Sequence, residues 1–272
     1  MVCSTIIGFM GIWAWTDIRG IWYWKDLLNE VKVDPRQLET WDGYITAAKR
    51  LNEALGPKGI EGVHLTGASH SPDLWYPYLW MLGGDILQLR DGHPTNSTYW
   101  FPVFNNSKGV KALNFIKNQI DMGINPKVNH SWGEEFANRK FAVMIEGSWM
   151  PSYFEDMRLS EFEKRIGFFP MFPISGDINR TSTLMGGWEL SIPKMSKNKG
   201  LAWELITSML DPKILAPWLE YNSYLTAQIS VGQGYLLNKS LSTRPYYDEM
   251  LTLIPFGGST KYSGISTDCS IH

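Results

Sequence analysis

Short apolar, β-prone runs alternate with segments of helical periodicity along most of the chain, and no other feature narrows the fold so far. The alternation predicts an α/β protein whose strands pair largely in parallel. The first run, Trp13 to Trp24, passes through Tyr23-Trp24-Lys25-Asp26-Leu27-Leu28 into a short helix. Thr40 is the N-cap of a second helix, with Trp41, Tyr44, Ile45, Ala48, Leu51 and Leu55 at helical spacing, and Gly56-Pro57 stops it. A strand at Ile60 to Leu65, a helix from Asp73 to Leu82 ended by Gly83-Gly84, and a longer helix capped by Asn106 and Ser107 follow. Then come a short helix around Trp132 to Asn138, a buried strand at Phe141 to Ile145, a turn at Gly147-Ser148-Trp149 into another helix, and a strand at Ile166 to Phe169. Pro170-Met171-Phe172-Pro173 with Ser175-Gly176-Asp177 reads as a linker. Beyond it lie a strand from Leu184 to Ile192, a helix from Gly200 to Leu210, a helix restarting at Asp211-Pro212, and a last helix at Tyr246 to Leu253. No internal repeat is evident.

With 272 residues, 44% of them apolar and 19% charged, the chain can bury a sizeable core or two modest lobes. A net charge of -2 gives no general affinity for nucleic acid or an anionic membrane. Cys3 and Cys269 stand at the two extremes, which excludes a disulfide framework and a cysteine zinc site. The five histidines form no His-Glu-x-x-His pair, and Ser69-His70-Ser71 lacks the glycine of a nucleophile elbow. Both glycine-rich phosphate loops are missing too, so the residues call for no cofactor or metal. The apolar stretch Ile6 to Trp15 is too short to span a bilayer and has no basic segment before it. Asn-x-Ser/Thr sequons at Asn96, Asn105, Asn129, Asn179 and Asn238 hint at an extracytoplasmic setting.

The unusual residue is tryptophan, with 13 copies beside 12 Tyr and 12 Phe. Such rings either fill a core or line a wall that meets a ligand. Trp22, Trp24, Trp41, Trp80 and Trp203 lie within amphipathic segments and are expected in the core. Trp75 and Tyr76, just after Ser71-Pro72-Asp73, and Trp149 occupy the starts of helices that follow strands, where ligands sit in open α/β sheets. Trp188 follows Gly186-Gly187, whose small residues leave room beside a ring. A tryptophan there offers a flat apolar face to a sugar while carboxylates, amides and arginine bond its hydroxyls. Glu134, Glu135, Glu146, Glu189, Asp73 and Asp17 also stand near aromatics, so a glycoside hydrolase with paired carboxylates is the alternative. Glu134 and Glu135 read rather as a solvated helix face.

The series Trp15-Thr16-Asp17-Ile18-Arg19, Tyr23-Trp24-Lys25-Asp26-Leu27-Leu28 and Thr40-Trp41-Asp42-Gly43-Tyr44 resembles the first crossover and following helix of the family 1 extracellular solute-binding proteins. These are the maltose-binding type that serves ATP-binding-cassette sugar importers. The likeness continues through Gly83-Gly84-Asp85-Ile86-Leu87, Gly109-Val110-Lys111-Ala112-Leu113, Phe141 to Trp149 and Gly186 to Pro193, over about residues 11 to 258.

The resemblance implies a two-lobed, periplasmic-binding-protein-like (venus flytrap) fold with a sugar or oligosaccharide in the interlobe cleft. It also implies permease subunits as partners, and an extracytoplasmic, non-enzymatic role. By position it places Trp149 as the stacking ring, Asp73, Trp75 and Tyr76 on a second wall, and Trp15, Asp17 and Arg19 on the first hinge crossing. Gly187, Trp188 and Glu189 fall on the opposing lobe. Tyr221 and Tyr224 fall near the third crossing, where Ser223 and Thr226 replace the family's Gly and Pro. The division it implies is a strand and hinge crossing at 1–19, a second lobe at 20–169, a remnant of the first lobe at 170–212, a return at 213–258 and an irregular tail at 259–272. The amino-terminal lobe is then incomplete, and the chain is expected to be truncated at both ends.

Overall fold

The structure, a computed structural model, describes residues 2–4, 10–64, 71–90, 99–124, 132–169, 182–227 and 245–258. The linker at 170–177, the tail at 259–272, Ser69-His70 and the sequons at Asn96, Asn129, Asn179 and Asn238 lie outside them.

Strand β1 (Val2–Ser4) leads to β2 (Met10–Trp24), a 15-residue strand that passes directly into α1 (Lys25–Val31). Helix α2 (Trp41–Leu55) starts where Thr40 Oγ1 accepts the Gly43 amide at 3.2 Å, satisfying one of the orphan donors of the first turn. After β3 (Glu61–His64) comes α3 (Ser71–Met81), which ends in left-handed Gly83 with the Gly84 amide donating back to the Leu79 carbonyl. A hairpin of β4 (Leu87–Arg90) and β5 (Tyr99–Pro102) follows. Helix α4 (Ser107–Asp121) is capped by Asn106, whose side chain accepts the Lys108 and Gly109 amides. The order then runs α5 (Trp132–Ala137), β6 (Phe141–Gly147), α6 (Met150–Asp156), α7 (Phe162–Arg165), β7 (Ile166–Phe169) and β8 (Thr183–Ser191). Last come α8 (Lys199–Met209), α9 (Pro212–Asn222), β9 (Leu225–Thr226), α10 (Tyr247–Leu253) and β10 (Gly257–Gly258).

Strand β2 organises the sheet, whose main order is β10-β8-β2-β6-β3. Its first part, Gly11 to Ile18, pairs with β8, and Trp15 and Thr16 pair with β9 on the other edge. Its second part, Arg19 to Trp24, pairs with β6 and β7. The partner changes between Ile18, opposite Met185, and Arg19, opposite Gly147.

Among the described residues every pairing of β2 is antiparallel, and only β3–β6 and β10–β8 are parallel, so the expectation of largely parallel pairing is corrected. Strand–helix alternation fixes the element types. It does not fix direction, because β6 inserts between β2 and β3 and runs against β2.

The core packs around the second part of β2. Trp22 and Trp24 are fully buried, and their indole N–H groups donate to the carbonyls of Glu146 and Phe136, so each large ring is buried with its polar atom satisfied. Trp41 and Trp80 are half-buried. Trp203, expected in the core, is 46% exposed on α8, whose single buried side chain among the described residues is Ile206. No helix among the described residues is long and apolar enough to cross a membrane.

Candidate functional site

Alternate residues of a strand share a face, so Trp15, Asp17 and Arg19 project together from β2 on either side of the point where its partner changes. From β6, Glu146 and the turn residue Trp149 meet them. Arg19 Nη1 lies 2.9 Å from Glu146 Oε1, and its guanidinium carbon lies 4.2 Å from the centre of the Trp149 ring. The same Glu146 oxygen accepts the Gly147 amide at 3.0 Å. The Trp149 ring rests against Gly147, where a Cβ would fall 2.1 Å from the ring's Cζ3 atom, so glycine is required by close approach.

Helix α9 and the segment after it close the cluster with Trp218 and Tyr224. Trp15 and Trp218 have ring centroids 4.4 Å apart, Trp218 and Tyr224 are stacked at 5.6 Å, and Tyr224 reaches Trp149 at 6.1 Å. The buried Trp15 Nε1 meets no acceptor among the described residues. On the other edge of β2, Gly186 lies beside the Asp17 carboxylate, and the Thr16 hydroxyl donates to the Gly186 carbonyl. Gly187 has φ +150, and a Cβ there would meet the Trp15 carbonyl and the Trp13 ring. Trp13 therefore fills the space that the paired glycines open.

Charge is concentrated here. Asp17 and Glu146 are each only 4% exposed. Burial lifts the Glu146 carboxyl to about 7, against the opposing pull of Arg19 and the Gly147 amide and with a small further push from Asp17. Burial likewise raises the Tyr224 hydroxyl, with Asp17 adding to it and Arg19 opposing. Among the described residues no group of three or more His, Cys, Asp and Glu side chains could hold a metal ion.

The structure thus brings together Trp15, Asp17, Arg19, Trp149 and Tyr224, and it sets Gly187 beside them. The other expected residues are placed differently. Trp75 and Tyr76 lie on α3, where Trp75 donates to the Gly109 carbonyl and packs edge-on against Phe104, while Tyr76 reaches Trp80. Asp73 is on the first turn of α3, and its side chain lies outside the described residues. Trp188, opposite Trp15 across the ladder, is 62% exposed, and Glu189 is exposed beside Gly11. The Tyr221 hydroxyl donates to Asp156 on α6, away from the ring cluster. Two members were not assigned a site role from sequence. Trp218 stands one residue off the buried stripe Leu215, Ala216 and Leu219, and a large ring displaced from such a stripe is the signal that marks it. Glu146 was visible only as one of several carboxylates near aromatics.

Solved structures share this architecture. Maltose-bound MalE3 of T. maritima superposes with a TM-score of 0.72 at 22% identity, over 92% of this chain and 61% of that one. UgpB of Mycobacterium tuberculosis, in complex with glycerophosphocholine, gives 0.71 at 17% identity, over 92% and 60%. The GacH receptor of Streptomyces glaucescens, solved unliganded and with acarbose, gives 0.67 at 21%, over 92% and 60%. The fold is therefore that of the two-lobed periplasmic binding proteins, and the chain spans about 60% of the length of these structures. The sequence matches the bacterial extracellular solute-binding protein family over residues 11–215, and the chain belongs to that family.

Proposed function

We propose that this chain belongs to an extracytoplasmic carbohydrate-binding protein that captures a sugar or oligosaccharide in an interlobe cleft and delivers it to the permease subunits of an ABC importer, without chemistry on the ligand. The observation that carries this reading is the cluster of Trp15, Trp149, Trp218 and Tyr224 around Asp17 and Arg19. Flat rings suit the C–H faces of a sugar, and a carboxylate with a guanidinium suits its hydroxyls. Maltose, acarbose and, in a Thermotoga lettingae protein, α-D-tagatose are the ligands of solved proteins of this fold, which supports the same class here.

In this reading residues 1–19 form a strand and the first hinge crossing, 20–169 the second lobe, 170–212 a remnant of the first lobe and 213–258 the return to the second lobe. Asp73, Trp75 and Tyr76 belong to a second wall, and Gly187, Trp188 and Glu189 to the opposing lobe. Tyr221 then supports the return segment through Asp156. Ligand binding shifts an open–closed equilibrium through its preference for the closed form.

Titration with maltose, acarbose and tagatose, followed by tryptophan fluorescence and by an assay for reducing ends, tests the proposal. Saturable binding without new reducing ends is the expected result. Release of reducing ends would establish the hydrolase alternative, and no response to any sugar would reject the reading. Trp149→Ala is expected to abolish the response while leaving the circular dichroism spectrum unchanged.

A further inference from the structure

We infer that Glu146 is a positioning residue of this site: its carboxylate holds the Arg19 guanidinium over the Trp149 ring, so the pose of the tryptophan depends on Glu146 being ionised. The inference concerns the regulation of the site proposed above and rests on that reading only for its consequence in binding.

Each link is local and fixed. Glu146 sits opposite Gly20 in the ladder, its main-chain carbonyl accepts the Trp22 indole, and its carboxylate accepts the Gly147 amide, so the carboxyl cannot wander. Arg19, one residue away in register and opposite Gly147, reaches back to Glu146 Oε1 and lays its guanidinium carbon over Trp149. The guanidinium is thereby shared between a carboxylate that is almost wholly buried and a ring that is half-exposed. Removing the negative charge replaces the carboxylate partner of Arg19 by a neutral acceptor, which weakens the ion pair that holds the guanidinium over the ring.

Among the described residues the charged and titratable groups acting on this pair are Arg19 and Asp17 of β2 and Tyr224 after α9. Burial places the Glu146 transition near pH 7, well above an ordinary carboxylate and below the tyrosine. Ionisation of Glu146 as the pH rises through that value therefore sets the ring in place, and acidification releases it.

The test reads the unliganded protein first. The indole ¹H–¹⁵N signal of Trp149, assigned by its loss in Trp149→Ala, is expected to move with pH with a midpoint near 7 in the wild type and to stay fixed in Glu146→Gln. Asp17→Asn is expected to keep the transition and lower its midpoint, because Asp17 opposes ionisation of Glu146. A Trp149 signal that does not titrate in the wild type, or that titrates equally in Glu146→Gln, overturns the inference. If Glu146→Gln does not fold, Arg19→Gln replaces it, and a transition undiminished in that variant overturns the inference equally.

Maltose affinity is measured next. It is expected to weaken roughly tenfold from pH 8 to pH 6 in the wild type, the scale of one lost cation–π contact, and to be flat in Glu146→Gln. A titrating ring in a protein that binds no sugar leaves the positioning role standing and rejects the carbohydrate reading. Binding that is independent of pH beside a titrating ring rejects the link from ring pose to affinity.

Discussion

Glu146 has to carry charge in a place that resists it, and this sets stability against function. Its carboxyl sits at about 7 in the fold, chiefly through burial, and at 4.5 when unperturbed. The folded state therefore holds a proton that the unfolded chain has lost between those values. By linkage, stability falls as pH rises from about 4.5 to about 7 and is level above, a difference of about 3 kcal/mol for the full shift. The charged form that fixes Arg19 is thus the less stable one. Urea unfolding at a series of pH values is expected to show this downward slope in the wild type and to lose it in Glu146→Gln; equal slopes in the two proteins would refute the assignment. At this scale the sequence was partly informative. Trp15, Asp17, Arg19 and Trp149 were all named, on a resemblance and on the strand-to-helix turn. That Arg19 spends its charge on Glu146 was not legible, because the two lie 127 residues apart and meet only through the register of β2 and β6.

At the scale of elements, what was readable was what is local. Thr40, Asn106 and Asp211 each satisfy amides two or three residues ahead, so side chain and partner lie in the same few letters of sequence. Strand direction depends on pairings across long separations and was missed, and the β4–β5 hairpin was missed because its strands are only 4 residues each, too short to show a period. Helix α9 shows a local departure with a cost. It ends at Ser223, which adopts a left-handed conformation (φ 55, ψ 32) where the resemblance calls for glycine. A side chain there is strained, and the buried Ser223 hydroxyl finds no partner among the described residues. Ser223→Gly removes both penalties and is expected to stabilise the chain by about 1 kcal/mol, read as a higher urea midpoint with an unchanged slope. Because Tyr224 follows directly and packs on Trp218, the variant should leave the tryptophan emission of the cluster as it was. A lower midpoint would show that the serine makes a contact worth more than the strain.

For the molecule as a whole, α8 is the element that fits least well with an isolated globular body. Its sequence carries two apolar stripes rather than one. Ile206 faces inward, whereas Leu201, Leu205 and Met209, spaced four apart, line another face and are 67%, 61% and 40% exposed. Trp203 and, on α9, Ile214 and Trp218 are also exposed large hydrophobics. Trp203 stands three residues before Ile206, on the inward side of the helix, and that spacing is why it reads as core although it is 46% exposed. Isolated exposed leucines are ordinary on protein surfaces, but a row of them along one helix is a patch that favours association. The 272-residue chain is therefore expected to bind an environment-sensitive naphthalene dye without unfolding and to show concentration-dependent association in sedimentation. Leu201→Lys with Leu205→Lys, which puts charges at two of the three positions of the row, is expected to cut both signals while leaving the Trp149 indole resonance unmoved. Dye binding undiminished in the double variant would move the apolar patch off α8 and leave the exposure of Leu201 and Leu205 without consequence.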